Sequence, residues 1–177
     1  RNENDLPKTK IIQEKNIINK PLGDANKDND NSGSNILENV VYENYDNQGN
    51  RYEITAEKGQ FESLNATKIF MNGVKAIIYL QNSDLITITS NVAIFDNQNF
   101  ETNFSKNVEL NYLNHNIKCE NLQLLFDKNL IKMQNQIIYK NLDTELLADR
   151  IVIDLITKNS KIFMNNVNKK IKILNKN

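Results

Sequence analysis

Residues 35–177 are predicted to form an all-β domain, an antiparallel array of repeated β-hairpins. Three observations predict it. The first is alternation: in Tyr52–Phe61, Tyr52, Ile54 and Ala56 alternate with Glu53, Thr55 and Glu57, the period of a strand with one buried face. The second is recurrence. Weaker copies of that stretch return at Ile86–Phe95, Ile117–Phe126 and Leu146–Leu155, aligned on the small residues Ala56, Ser90, Cys119 and Ala148. Each copy is trailed by a second element, at Ile69–Val74, Asn103–Val108, Ile131–Ile137 and Ile162–Val167. The period of about 30 residues falls within the range of stacked repeat architectures. The third is punctuation: turn-forming clusters recur along the chain, and no apolar stripe at helical spacing with caps occurs after residue 35.

In chain order, residues 1–34 read as a flexible linker. They hold both prolines, Pro7 and Pro21, and the run Asp24–Ser34 has too few apolar groups to offset its ordering entropy. Ile36–Tyr42 is the first expected strand, followed by a turn at Asp46–Gly49. Asn72-Gly73 is the strongest hairpin signal, because both residues tolerate positive φ. No glycine follows Gly73, so the later turns fall to Asn and Asp, which also enter the left-handed region. Those turns are expected at Asp96–Asn99, Asn114–Asn116, Asp127–Asn129, Asn141–Asp143, Lys158–Ser160 and Asn165-Asn166.

Composition narrows function by exclusion. The 22 basic and 22 acidic side chains cancel, which leaves no general basic face to displace counterions from a nucleic acid. One cysteine, Cys119, permits no internal disulfide and does not separate cytoplasm from periplasm. The single histidine, His115, reads as an exposed turn residue. With Cys119 it offers two metal ligands where a structural zinc site needs four. Phosphate-loop, dinucleotide, nucleophile-elbow and metalloprotease motifs are all missing. Carboxylates such as Asp149 and Asp154 alternate along a strand, which places them first on a solvated face. No enzyme and no cofactor is expected.

What remains is the apolar face. Ile54, Ala56, Ile78, Leu80, Ile86, Ile88, Val108, Leu110, Tyr112, Ile131, Met133, Ile151, Ile153, Ile171 and Ile173 would line one side of the stacked strands. Periodicity alone favours an ordinary packed core. The sharper alternative is a pair of imperfectly closed sheets with an apolar trough between them.

The order Asp46-x-x-Gly49-x-x-Tyr52-x-Ile54-x-Ala56, then Ile69–Val74, then Ile86-x-Ile88-x-Ser90 and Asn107-Val108 resembles the LptC family, the periplasmic subunit of lipopolysaccharide export, over about residues 35–173. The resemblance implies an open antiparallel β-jellyroll of two facing sheets with lipid acyl chains carried inside. It also implies a periplasmic domain anchored to the inner membrane by a helix upstream of this chain. The N-terminal edge, near Ile36–Tyr42, would face an inner-membrane ABC transporter complex. The C-terminal edge, near Lys161–Leu174, would face a periplasmic bridge protein by strand addition. On this reading Ile54, Ala56, Ile78, Leu80, Ile86, Ile88, Val108, Leu110, Ile131, Met133 and Ile153 contact lipid, and Asp46, Gly49 and Tyr52 carry the family motif. The alternatives are a soluble bridge protein of the same superfamily and a structural β-solenoid that carries no lipid.

Overall fold

A computed structural model describes residues 10–11, 35–61, 67–165 and 172–175. The linker expected over 1–34 therefore lies, apart from Lys10-Ile11, outside the described residues. The strands are β1 (Lys10–Ile11), β2 (Asn35–Tyr45), β3 (Arg51–Phe61), β4 (Lys68–Tyr79), β5 (Ile86–Asp96), β6 (Glu101–Tyr112), β7 (His115–Leu125), β8 (Leu130–Lys140), β9 (Thr144–Asp154), β10 (Ser160–Phe163) and β11 (Lys172–Asn175). A single 3₁₀ turn at Phe126–Lys128 links β7 to β8. All pairings are antiparallel and follow chain order from β1 to β10, with β11 also pairing β9. The all-β, open, hairpin-built expectation holds. The two facing layers prove to be two arms of one continuous sheet.

A crease across the middle of every long strand makes the arms. In β4, Ile69 and Met71 point inward below it, and Val74, Ala76 and Ile78 point inward above it, so the two-residue alternation slips by one at Asn72-Gly73. Gly73 carries φ +61°. The same line is crossed at Asn39, at Lys106-Asn107 and at Asn135-Gln136, all with positive φ, and the β5–β6, β6–β7 and β7–β8 registers shift beside it. An extra residue bends a strand and increases its twist. Aligned across the strands, the bulges of β6 and β8 and the in-register kinks of β2 and β4 fold the whole sheet. Asn72-Gly73 is thus an in-register kink inside a twelve-residue strand, its pairing to β3 and β5 unshifted, and not a hairpin. Its tolerance of positive φ was a true signal put to another use.

The crease explains the repeat. Ala56, Ser90, Cys119 and Ala148 are each the last inward-facing residue before it, and all are buried. Side chains there must be small because the two arms converge. Two of the trailing elements, Asn103–Val108 and Ile131–Ile137, supply the bulges, on β6 and β8.

Above the crease, the upper arm presents a ladder of directly paired residues running Tyr42, Ile54, Ala76, Ile88, Leu110, Ile117, Tyr139 and Leu146. Below it, the lower arm presents Ile69, Phe95, Thr102, Leu124, Ile131 and Ile153. The arms touch face to face. Tyr42 of β2 and Phe95 of β5 have ring centroids 4.5 Å apart, although three interstrand steps of about 4.8 Å separate their strands within the sheet. Tyr52 of β3 meets Phe126, beyond β7, at 4.6 Å edge to face. Each upper-arm strand therefore covers a lower-arm strand three or four places later in the chain. Ile78, Ile88, Ile131 and Met133 are completely buried as a result.

Thr102 sits in this core at 1% exposure, and its hydroxyl finds no partner among the described residues. An unpaired buried hydroxyl costs about 1–3 kcal/mol. Thr102→Val keeps the shape and removes the cost, so urea unfolding should show a gain of about 1 kcal/mol; a loss of stability would mean that the hydroxyl is satisfied.

Candidate functional site

The motif Asp46-x-x-Gly49-x-x-Tyr52 builds the closed end of the fold. Asp46 Oδ1 accepts the backbone N–H groups of Gln48 (2.9 Å) and Asn50 (2.8 Å), an Asx turn that reverses the chain between β2 and β3. Its Oδ2 accepts Asn50 Nδ2 at 2.7 Å. Gly49 takes φ +81°, and its carbonyl accepts Gln81 Nε2 at 3.1 Å. A β-carbon there would lie 2.9 Å from that same nitrogen. The fixed turn aims Tyr52, 1% exposed, across the interior. The Tyr52 hydroxyl donates to Asn129 Oδ1 at 2.9 Å, and Asn129 itself holds the left-handed cap of the 3₁₀ turn. Beside it, wholly buried Asn44 donates to the Tyr42 hydroxyl at 2.9 Å. The Tyr52–Asn129 bond clasps the arms where the chain's early strands lie, and the Asn44 bond fixes Tyr42 for its contact with Phe95.

The opposite end is open. Because facing partners are offset by three or four strands and the described sheet stops at β10 and β11, the upper-arm surface of β6–β9 runs out of cover among the described residues. An apolar cavity of about 380 Å³ results. Leu80, Ile86, Leu110, Tyr112, His115, Ile117, Tyr139 and Leu146 line it from the upper arm, and Ile151, Ile153, Leu155, Ser160 and Ile162 from the lower. Asp154 and Lys158 also line it. A second depression of about 550 Å³ lies along the β6–β7 bulge, among Lys106, Glu109, Lys118 and Gln136. Its lining is largely polar and offers an acyl chain nothing.

Of the residues expected to contact lipid, Leu80, Ile86, Leu110 and Ile153 line the cavity. Ile54, Ala56, Ile78, Ile88, Val108, Ile131 and Met133 are packed into the closed core. Ile171 lies outside the described residues, as does the side chain of Ile173. Asp46, Gly49 and Tyr52 hold the turn and the clasp. Tyr139, Leu146 and Leu155 line the cavity unforeseen, although the first two continue the upper-arm ladder and were legible from it.

His115 corrects the reading of an exposed turn histidine. The turn closes at Leu113-Asn114, and His115 already begins β7. Its ring stacks between Tyr112 (6.2 Å, 16°) and Tyr139 (5.8 Å, 26°). Nδ1 shares a 2.7 Å hydrogen bond with the Tyr139 hydroxyl, which also accepts Asn141 Nδ2 at 3.0 Å. Asp149 and Asp154 do not converge as a carboxylate pair. Asp149 accepts the N–H of Asn165 at 2.8 Å, and Asp154 those of Ile156 and Thr157, each at 2.9 Å. Those turn amides, with smaller help from Lys161, hold the Asp154 carboxyl below its usual range. No group of residues able to hold a metal occurs among the described residues.

Burial pushes the Cys119 thiol from 9.0 up to about 12 and the Tyr42 phenol from 10.0 up to about 12, against a smaller lowering by Asn44. Tyr52 is also raised, first by burial and then by the Asp46 charge. All three bind their protons more tightly folded than unfolded. Their stabilisation is therefore complete below about pH 9 and lost as pH rises through the folded values. Melting temperature should be level from pH 7 to 9 and fall steadily toward pH 12; a level profile throughout would contradict the assignment. Native Cys119 should resist iodoacetamide at pH 8 and react once the chain is unfolded.

Among the described residues no helix is long and apolar enough to cross a membrane. Comparison with curated proteins returns no match. A family model described as "Lipopolysaccharide-assembly, LptC-related" matches residues 12–176. That span takes in every long strand, the crease, the clasp and the cavity, and the chain belongs to the LptC family of periplasmic lipopolysaccharide-transport components.

Proposed function

We propose that this chain is a non-enzymatic conduit that receives lipopolysaccharide from an inner-membrane ABC transporter complex and passes it to a periplasmic bridge protein. The observation that carries the reading is the cavity left between the arms where the sheet ends, apolar inside and open toward the C-terminal strands. Exposing acyl chains to water costs about 0.8 kcal/mol per methylene, roughly 10 kcal/mol for a dozen carbons. A walled apolar passage removes that cost without a catalytic group. Leu80, Ile86, Leu110 and Ile153 are the first lipid contacts. The core from Ile54 to Met133 joins them when the arms part, since no lipid fits there while they are closed.

The sheet edges suit strand addition. Among the described residues, β1 covers Glu43 and Tyr42 of β2 and nothing further along that edge, and Ile36, on the lower half of that strand, is 64% exposed. At the other edge, β9 is capped by two short strands, β10 below the crease and β11 above it. Unpaired edges invite pairing with another chain. The N-terminal edge is assigned to the transporter complex and the C-terminal edge to the bridge protein. Titrating the purified chain with lipopolysaccharide tests the conduit. Saturable binding, competed by unlabelled lipid, is expected; no binding would leave the second reading, a scaffold whose interior is simply the packed core seen around Ile88 and Ile131.

A further inference from the structure

We infer that the closed form of the cavity is a site for one single-tailed amphiphile with an anionic head, a narrower ligand class than the multi-chain lipid of the proposed function, on whose reading of the cavity as a lipid site this inference rests. Size is the first argument. At about 380 Å³ the cavity lies near the lower end of the roughly 300–1,000 Å³ range of ligand pockets, enough for one flexible tail and not for a bundle of them. The clasp formed by Tyr52 with Asn129 and by Tyr42 with Phe95 prevents it from continuing through the core.

The polar groups on its lining give the second argument. The Tyr139 hydroxyl accepts the amide hydrogen of Asn141. Giving its own hydrogen to His115 Nδ1 satisfies all three groups. The neutral ring then carries its remaining hydrogen on Nε2, which has no hydrogen-bond partner among the described residues. Lys158 adds an ammonium group that forms no ion pair among the described residues, and Ser160 adds a hydroxyl. The one acidic group in the lining, Asp154, takes two turn amides on Oδ1, leaving Oδ2 as its free acceptor, and Lys161 lies close enough to act on its charge. Free donors therefore outnumber free acceptors, which matches the oxygens of a carboxylate or phosphate at the end of an apolar tail.

The test uses the purified full chain and four ligands that share a twelve-carbon tail, each below its micelle concentration: dodecanoate, dodecyl phosphate, dodecyl maltoside and dodecyltrimethylammonium. The two anionic ligands should bind at one molecule per chain and at least tenfold tighter than the other two. Whichever of the two binds tighter tells carboxylate from phosphate as the preferred head. The double variant His115→Ala, Lys158→Ala should bring the preference to within about threefold, and Lys158→Arg should retain it. Equal affinity for all four heads, or a preference unchanged in the double variant, would overturn the inference while leaving the apolar site intact. Binding of lipopolysaccharide with none of the four would overturn it without touching the proposed function, whereas binding of neither would overturn both.

Discussion

Tyr52→Ala is expected to destabilise the domain by about 4–6 kcal/mol, the largest loss of any single replacement considered. Removing a buried aromatic ring costs about 3–5 kcal/mol. Here the ring also packs edge to face on Phe126 and is 1% exposed. Its hydroxyl is the hydrogen-bond donor to Asn129, which is buried and would be stranded, at about 1–3 kcal/mol. The two losses overlap, so the sum is smaller than its parts. At about 3–4 °C per kcal/mol for a domain of this size, the melting temperature should fall by roughly 12–24 °C. Tyr52→Phe removes the hydroxyl alone, with its bond to Asn129 and its longer contact to Asp46 Oδ2 (3.3 Å), at about 1–2 kcal/mol. Combined with Asn129→Ala it should cost less than the two singles added, because both remove one contact. Strict additivity would show that the clasp does not join the arms.

Leu110→Trp should weaken lipopolysaccharide binding at least tenfold, about 1.4 kcal/mol, with the domain still folded. Leu110 belongs to the upper-arm ladder, directly paired with Ile88 and Ile117, and its side chain lines the cavity. An indole there takes up much of the space a tail would occupy. Overpacking costs about 1–3 kcal/mol, less than a clasped domain needs to lose before unfolding. Far-ultraviolet dichroism should therefore be unchanged while binding falls. Leu110→Ala, which enlarges the cavity, should leave binding within about threefold. If the tryptophan variant binds as well as the parent, lipid does not enter there.

The strands were legible in the sequence because alternation is a local property, and Tyr52, Ile54 and Ala56 declare their buried side by themselves. The repeat was legible too, but its meaning was not. Ala56, Ser90, Cys119 and Ala148 recur because the sheet creases beside them, and a crease is a relation among neighbouring strands that no single strand displays. Asn72-Gly73 shows the same limit: the dipeptide reports positive φ, and whether that φ closes a hairpin or bends a strand depends on what pairs on either side. The cavity was the least legible feature. It depends on the offset between the arms, set by contacts such as Tyr42 with Phe95, and on where the sheet ends. His115 was misplaced because an Asn-rich neighbourhood suggests an exposed turn, while the two tyrosines that enclose its ring come from other positions along the sheet.

The conduit is tested most directly by photo-crosslinking in cells whose lipopolysaccharide export depends on this chain. A photoreactive residue at Leu80 or Ile162, both lining the cavity and only partly buried, should capture lipopolysaccharide strongly. The same residue at Asn103 or Lys118, both exposed on the outer face, should capture little. Equal capture at the two pairs of positions would contradict a lipid path between the arms.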